Sequence, residues 1–261
     1  MEETIEELVQ YAADKAQGLA EGKQFWITLA GPPGGGKTTM SAQIVKKLSE
    51  RGVPSVVVPM DGFHYYRREL EAMPDPEEAR NRRGSHWTFN SKRLVEMLTK
   101  VKGDGCGMLP SFDHAVADPI EDDIQVSKTD KIVLVEGNYL LLYDEEPWAQ
   151  LKGLFDERWF VACDIELLRE RVINRNSAAW GWDKARTAER VDYNDVPNAK
   201  LVAATVKYAD RVIQSVQEAR DVDPTPKSPS SRSALRTNLS SVPAMPSSVP
   251  AISADIDKVS A

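Results

Sequence analysis

Residues 24–41 read QFWITLAGPPGGGKTTMS, and they restrict the chain more than any other stretch. A short apolar run, Phe25 to Ala30, breaks into Gly31, Pro32, Pro33, Gly34, Gly35, Gly36, Lys37 and Thr38, with Thr39 next. This is G-x-x-x-x-G-K-[ST] at full spacing, and its context agrees: a strand-like run before it, a helix-like run from Thr39 to Leu48 after it. Glycines let backbone N–H groups turn inward and approach phosphate oxygens closely. The following helix points its positive end at the same charge. Lys37 suits the β- and γ-phosphates, and Thr38 suits Mg²⁺. A plain Gly/Pro surface turn would not need strand, loop and helix to agree. The stretch therefore predicts a nucleoside triphosphate site over residues 31–39.

The 261 residues suffice for one α/β domain of roughly 200 residues with extensions. At 41% hydrophobic content a packed core is within reach, and a net charge of −7 argues against a dedicated nucleic-acid binder. Cys106 and Cys163 supply neither a disulfide framework nor a metal spacing, and Cys163 reads as a buried strand residue. The acidic MEETIEEL start has no signal-peptide pattern, and no apolar stretch reaches membrane-spanning length. The expectation is a soluble cytoplasmic protein with no membrane and no nucleic-acid partner; a homodimer is compatible with it.

Ile5, Leu8, Val9, Ala12, Ala16 and Leu19 predict an amphipathic helix over 4–20. Ser55 to Val58, Lys131 to Val135, Arg158 to Cys163 and Arg211 to Ser215 predict further strands. Helices are expected over 91–102, 147–155, 165–176 and 195–209, a polar helix-and-loop excursion over 67–90, and an irregular segment that admits short strands over 109–130. Alternating strands and helices argue a parallel sheet with helices on both faces. This α/β domain spans 1–220; the Ser/Pro-rich remainder, 221–261, has no sustained periodicity and reads as a disordered tail.

Three further constellations carry chemistry. Asp61 lies just past the second strand, where α/β sheets gather ligands, and a carboxylate there can accept the proton of an attacking hydroxyl. Glu136 ends the run IVLV, the position of an acid aimed at Mg²⁺ or its water shell. Arg169, Arg171 and Arg175 ride one helix, with Arg171 and Arg175 four apart on a shared face, and the stretch NSAAWGWDKART after them reads as a mobile lid. His64, Tyr65, Tyr66, Arg82, Arg83, His86 and Trp87 are candidates to line a pocket for a small polar acceptor. Asp113–His114 is a similar pair, and none of the histidines has zinc spacing.

Taken together, GPPGGGKTT, MDGFH, RRGSHWTF, PSFDHAVADP, VLVEGNYLLL and ERVDYNDVPNAKLV resemble the phosphoribulokinase/uridine kinase family of P-loop small-molecule kinases over about residues 20–216. The flavour is similar to pantothenate-kinase-like and sugar-kinase-like members and to fungal ATP-dependent kinases. The resemblance implies the P-loop NTPase fold with a parallel five-stranded sheet ordered 2-3-1-4-5, flanked by helices and carrying a lid. It implies ATP, Mg²⁺ and transfer of the γ-phosphate to a hydroxyl of a small metabolite. Asp61 matches the base, Lys37 and Thr38 the phosphate and Mg²⁺ positions, Glu136 the acid of the EG element, Arg171 and Arg175 the lid arginines. Asn194, Asp195 and Asn198 match a nucleotide- or acceptor-side loop. DGFHYY replaces a nucleoside kinase's DSFY-type element, and the regulatory cysteine pair of a phosphoribulokinase is absent. The rival readings are a regulatory P-loop ATPase acting through a protein partner, and a kinase of nucleoside-monophosphate type, in which Asp61 would be unnecessary as a base.

Overall fold

The computed structural model describes residues 2–113 and 115–215. His114 and the tail expected over 221–261 lie outside the described residues. Seven strands occur among the described residues: β1 Phe25–Ala30, β2 Ser55–Pro59, β3 Gly107–Asp113, β4 Asp118–Val126, β5 Ile132–Gly137, β6 Glu157–Ala162 and β7 Arg211–Gln214. The α-helices are α1 Glu2–Gln17, α2 Lys37–Glu50, α3 Arg67–Leu70, α4 Pro76–Asn81, α5 Ser91–Asp104, α6 Ile165–Trp180, α7 Lys184–Arg190 and α8 Val196–Ala203.

The main sheet is parallel in the order β2-β5-β1-β6-β7. Counting its five strands alone in chain order, that is 2-3-1-4-5. The two central strands are apolar along their length because both faces are covered. Ile27 and Leu29 of β1 and Ile132 and Leu134 of β5 meet Leu8 and Val9 of α1 and Met40 and Ile44 of α2. Their alternates, Trp26, Ala30, Val133 and Val135, meet Leu94 and Leu98 of α5 with Tyr139 and Trp148. The period of two thus splits one strand between two cores.

The segment expected to be irregular over 109–130 is an antiparallel hairpin, β3–β4, separate from the main sheet. Its strands are only partly apolar, so alternation is weak in the sequence; pairing with each other is what orders them. The hairpin lies on the 3₁₀ turn Met60–Phe63 that follows β2. A Cβ on Gly62 would come within 2.2 Å of the Pro110 carbonyl oxygen, so the turn and β3 touch through backbone.

The stretch NSAAWGWDKART, expected as a lid, is largely helical. α6 continues to Trp180 and stops at Gly181, whose φ of +67° suits a residue without Cβ. Asp183 then accepts the Arg186 N–H and starts α7. Both signals stand in WGWDKAR. Cys163 is half-buried and lies one residue past β6, because Asp164 caps α6 immediately afterwards. The helix expected over 195–209 is preceded by a π-helical turn, Val191–Asp195, and ends in a 3₁₀ turn over Ala204–Tyr208. Among the described residues no helix is long and apolar enough to cross a membrane.

Gly62→Ala should destabilise the protein by about 1–3 kcal/mol, since backbone rather than a flexible side chain must move. Urea unfolding of the variant beside wild type checks this.

Candidate active site

The phosphate loop is fitted to its neighbours by small residues. A Cβ on Gly31 would meet the Val161 carbonyl oxygen of β6 at 2.6 Å, and one on Gly34 would meet Val172 of α6 at 2.8 Å. Gly36 caps α2 at φ +92° and offers no side chain to the first-turn N–H groups. Those donors are what a phosphate would take up. Pro32 and Pro33 have no N–H; the Pro32 carbonyl instead accepts from Gly35 N at 3.1 Å and from Lys37 Nζ at 3.0 Å.

Lys37 is 7% exposed, and its Nζ also donates to Asn138 Oδ1 at 2.7 Å. Burial pushes its pKa down, while Glu136 and Asp61 push it up and Arg175 adds to the fall. Glu136, 6% exposed at the end of β5, accepts from Thr38 Oγ1 at 3.1 Å. Its carboxyl is raised above the usual range by burial; Lys37 opposes the rise and Asp61 adds to it. Lys37, Glu136, Asp61 and Arg175 thus share one electrostatic neighbourhood. Asp61 reaches it from the turn beyond β2, because Pro59 is the register partner of Glu136.

Thr38 and Glu136 are hard oxygen donors in mutual contact, which fits Mg²⁺. That ion takes one or two carboxylates, and water and phosphate complete its shell. Among the described residues no group of three or more His, Cys, Asp and Glu forms a cage by itself.

The arginines divide. Arg171, one turn before Arg175, donates to Gly34 O at 3.4 Å, to Ser215 Oγ at 2.8 Å and to Cys163 Sγ at 3.7 Å. It braces the outer side of the loop, whereas Arg175 acts on Lys37. Arg169 pairs with Asp192 at 2.6 Å, away from that neighbourhood. Asp195 is raised by burial and pulled down by Arg190 and Arg175. Arg190, whose buried Nη1 makes no hydrogen bond, stands 3.9 Å from it.

Around Asp61, His64 Nδ1 lies 2.9 Å from the Asp61 carbonyl oxygen, and its ring packs on Phe89 at 3.8 Å and Phe112 at 4.8 Å. Tyr65 donates its N–H to Thr88 O, and its carbonyl accepts from Arg83 Nη2. Arg82 turns the other way, donating to Tyr193 O at 2.6 Å. His86 pairs with Glu145 at 2.8 Å and meets Tyr139 edge-on. The Tyr139 hydroxyl donates to Gly84 O at 2.7 Å. Ser85, Asn194 and Asn198 form a buried network at 3.0 to 3.3 Å. Sequence reasoning missed Asn138 and Arg190. Asn138 had a signal, a polar residue two beyond Glu136 at a strand tip; Arg190 had none.

The model of the phosphoribulokinase/uridine kinase family matches residues 26–222. A Schizosaccharomyces pombe protein named as a candidate uridine kinase is 38% identical over 205 residues, covering 76% of this chain and 86% of that one. An Aspergillus versicolor ATP-dependent kinase-like protein is 39% identical over 146 residues, 54% of this chain and 84% of its own. A solved structure from Silicibacter sp., described as a candidate fructose transport system kinase, superposes with a TM-score of 0.67 at 29% identity. The match covers 77% of this chain and 98% of that one.

The raised Glu136 carboxyl has a pH consequence. Between the ordinary carboxylate range and its folded value, the native state holds a proton that the unfolded state releases. This contribution favours folding at low pH and is lost as pH rises through the folded value. Urea midpoints of the ligand-free protein against pH should therefore flatten over that window in Glu136→Gln relative to wild type.

Proposed function

Because the chain belongs to the phosphoribulokinase/uridine kinase family, we propose that it transfers the γ-phosphate of ATP to a hydroxyl of a small metabolite, with Asp61 as the base. The family chemistry is ATP-dependent phosphorylation of small molecules, and the chain is a small-molecule kinase. The acceptor is an alcohol of the sugar, pantothenate-like or nucleoside-like kind.

One observation carries the reading. The Asp61 carboxylate stands within electrostatic reach of both Lys37 and Glu136, on the turn that leaves β2 beside the β5 tip. A base for the acceptor hydroxyl belongs beside the phosphate lysine, because the attacking oxygen and the transferred group must meet in line.

Asp61 orients the acceptor hydroxyl and takes its proton as the new bond forms. Lys37 holds positive charge against the phosphate oxygens, kept in place by Pro32 O and Asn138 Oδ1. Mg²⁺ bound by Thr38 and Glu136 would neutralise charge on the phosphates. Arg175 adds positive charge where the phosphoryl group transfers, and Arg171 steadies the loop from its outer side. His64 fixes the Asp61 turn; His64, Tyr65 and the turn carrying Arg82 and His86 border the acceptor.

Asp61→Asn should lower acceptor-dependent ADP release by about 10²–10⁴-fold, with ATP affinity retained. Both are measured on purified protein with a panel of pantothenate, nucleosides, nicotinamide riboside, and free and phosphorylated sugars. Normal turnover by the variant would sink the proposed role of Asp61.

A further inference from the structure

Arg82 and Arg83 are adjacent, yet they serve opposite sides of the turn. Arg82 is spent on the Tyr193 carbonyl. Arg83 lies on the Asp61 side: its guanidinium is 5.8 Å from the centre of the Phe112 ring, the same ring on which His64 packs. Its side chain is only 17% exposed. Nη2 donates to Tyr65 O at 3.1 Å and lies 3.5 Å from Asp118 Oδ1, the outer limit of a hydrogen bond. Among the described residues its Nε and Nη1 bond nothing, so most of its five donors remain unused. Asp118 Oδ1 is shared, accepting the Arg67 N–H at 2.8 Å. Burial lowers the pKa of Arg83, Asp118 and Asp61 oppose the fall, and the exposed Arg67 is near enough to add to it.

A strut that merely tied the hairpin to this turn would be a short, two-pronged pair with Asp118. Arg83 is instead a largely buried guanidinium with one weak ion pair and free donors. The turn that carries it is held from beneath by Tyr139, Asn194, Ser85 and Asn198. Such rigidity suits a recognition group.

We propose that the acceptor is an alcohol bearing an anionic group, a carboxylate or a phosphate ester, which the Arg83 guanidinium binds with Arg67 beside it. The proposal rests on the kinase reading above and narrows its substrate class.

The test is ADP release by the full chain with ATP and Mg²⁺ on matched acceptors: glycerol against glycerate and glycerol 3-phosphate, ribose against ribose 5-phosphate, pantothenol against pantothenate. The anionic member of at least one pair should exceed its neutral partner by about 10–100-fold in kcat/KM. Arg83→Gln should collapse that ratio mainly through KM, with binding of the ATP analogue AMP-PNP retained. Arg83→Lys should restore part of it, and it reads the same ratio should the Gln variant fail to bind AMP-PNP. Whether carboxylates or phosphates respond identifies the anion. Preference for the neutral members, or a ratio that survives in Arg83→Gln, overturns this proposal alone. AMP-PNP binding with no stimulation by any acceptor overturns the kinase reading, and this proposal with it.

Discussion

The buried ammonium of Lys37 is the constraint on which the site depends. A charge 7% exposed is costly unless oxygens surround it. Here three sets of oxygens do so: the Pro32 carbonyl from the loop, the Asn138 amide and the Glu136 carboxylate from the end of β5. They meet because β1 and β5 are parallel neighbours in register, with Ala30 opposite Gly137. Both strands therefore end at the same height. A slip of one residue would turn Glu136 to the opposite face. The buried apolar alternation of β1 and β5 forbids that slip, so packing at the centre of the sheet fixes the electrostatics at its edge.

The same logic extends outward through glycines. A Cβ on Gly137 would meet the Met60 side chain at 2.4 Å, and one on Gly62 would meet Pro110 O. Their absence lets the β2 turn lie flat between β5 and the hairpin. Asp61 is thereby held beside the phosphate loop on one side and beside the aromatic wall of His64, Phe89 and Phe112 on the other. Close approach at these two glycines, together with the His64 ring nitrogen on the Asp61 carbonyl, sets where the candidate base stands.

What could be read from the sequence follows from this hierarchy. The loop, Asp61 and Glu136 were legible because each is a special residue at the end of an apolar run, and strand ends converge in a parallel sheet. The order of the parallel strands came with the resemblance. Short strands over 109–130 were legible, but their pairing as the β3–β4 hairpin was not: DPIEDDIQV is acidic and only weakly alternating, and its order comes from a partner strand. The Arg171–Arg175 pair shows a subtler limit. Spacing put both on one face, but α6 packs against the loop at Gly34, so one turn separates a residue that touches the loop backbone from one that feels Lys37. Spacing gives a face; only packing gives the height along it. Cys163 was misplaced for a similar reason, since a cap at Asp164 ended the strand one residue early.

The π-helical turn over Val191–Asp195 links α7 to the turn that carries Arg82 and Arg83. Pro197 has no N–H to offer the Tyr193 carbonyl one turn back. Arg82 Nη1 supplies the missing donor. One residue on, Asn194 donates to Arg83 O and joins Ser85 and Asn198. A regular α-helix here would advance about 100° per residue, without the extra residue that the wider turn accommodates. Asn194 would then turn away from Ser85. α7, which carries Arg190 toward Asp195, runs directly into that clamp, which meets the arginine turn at the Arg82 guanidinium and the Arg83 carbonyl.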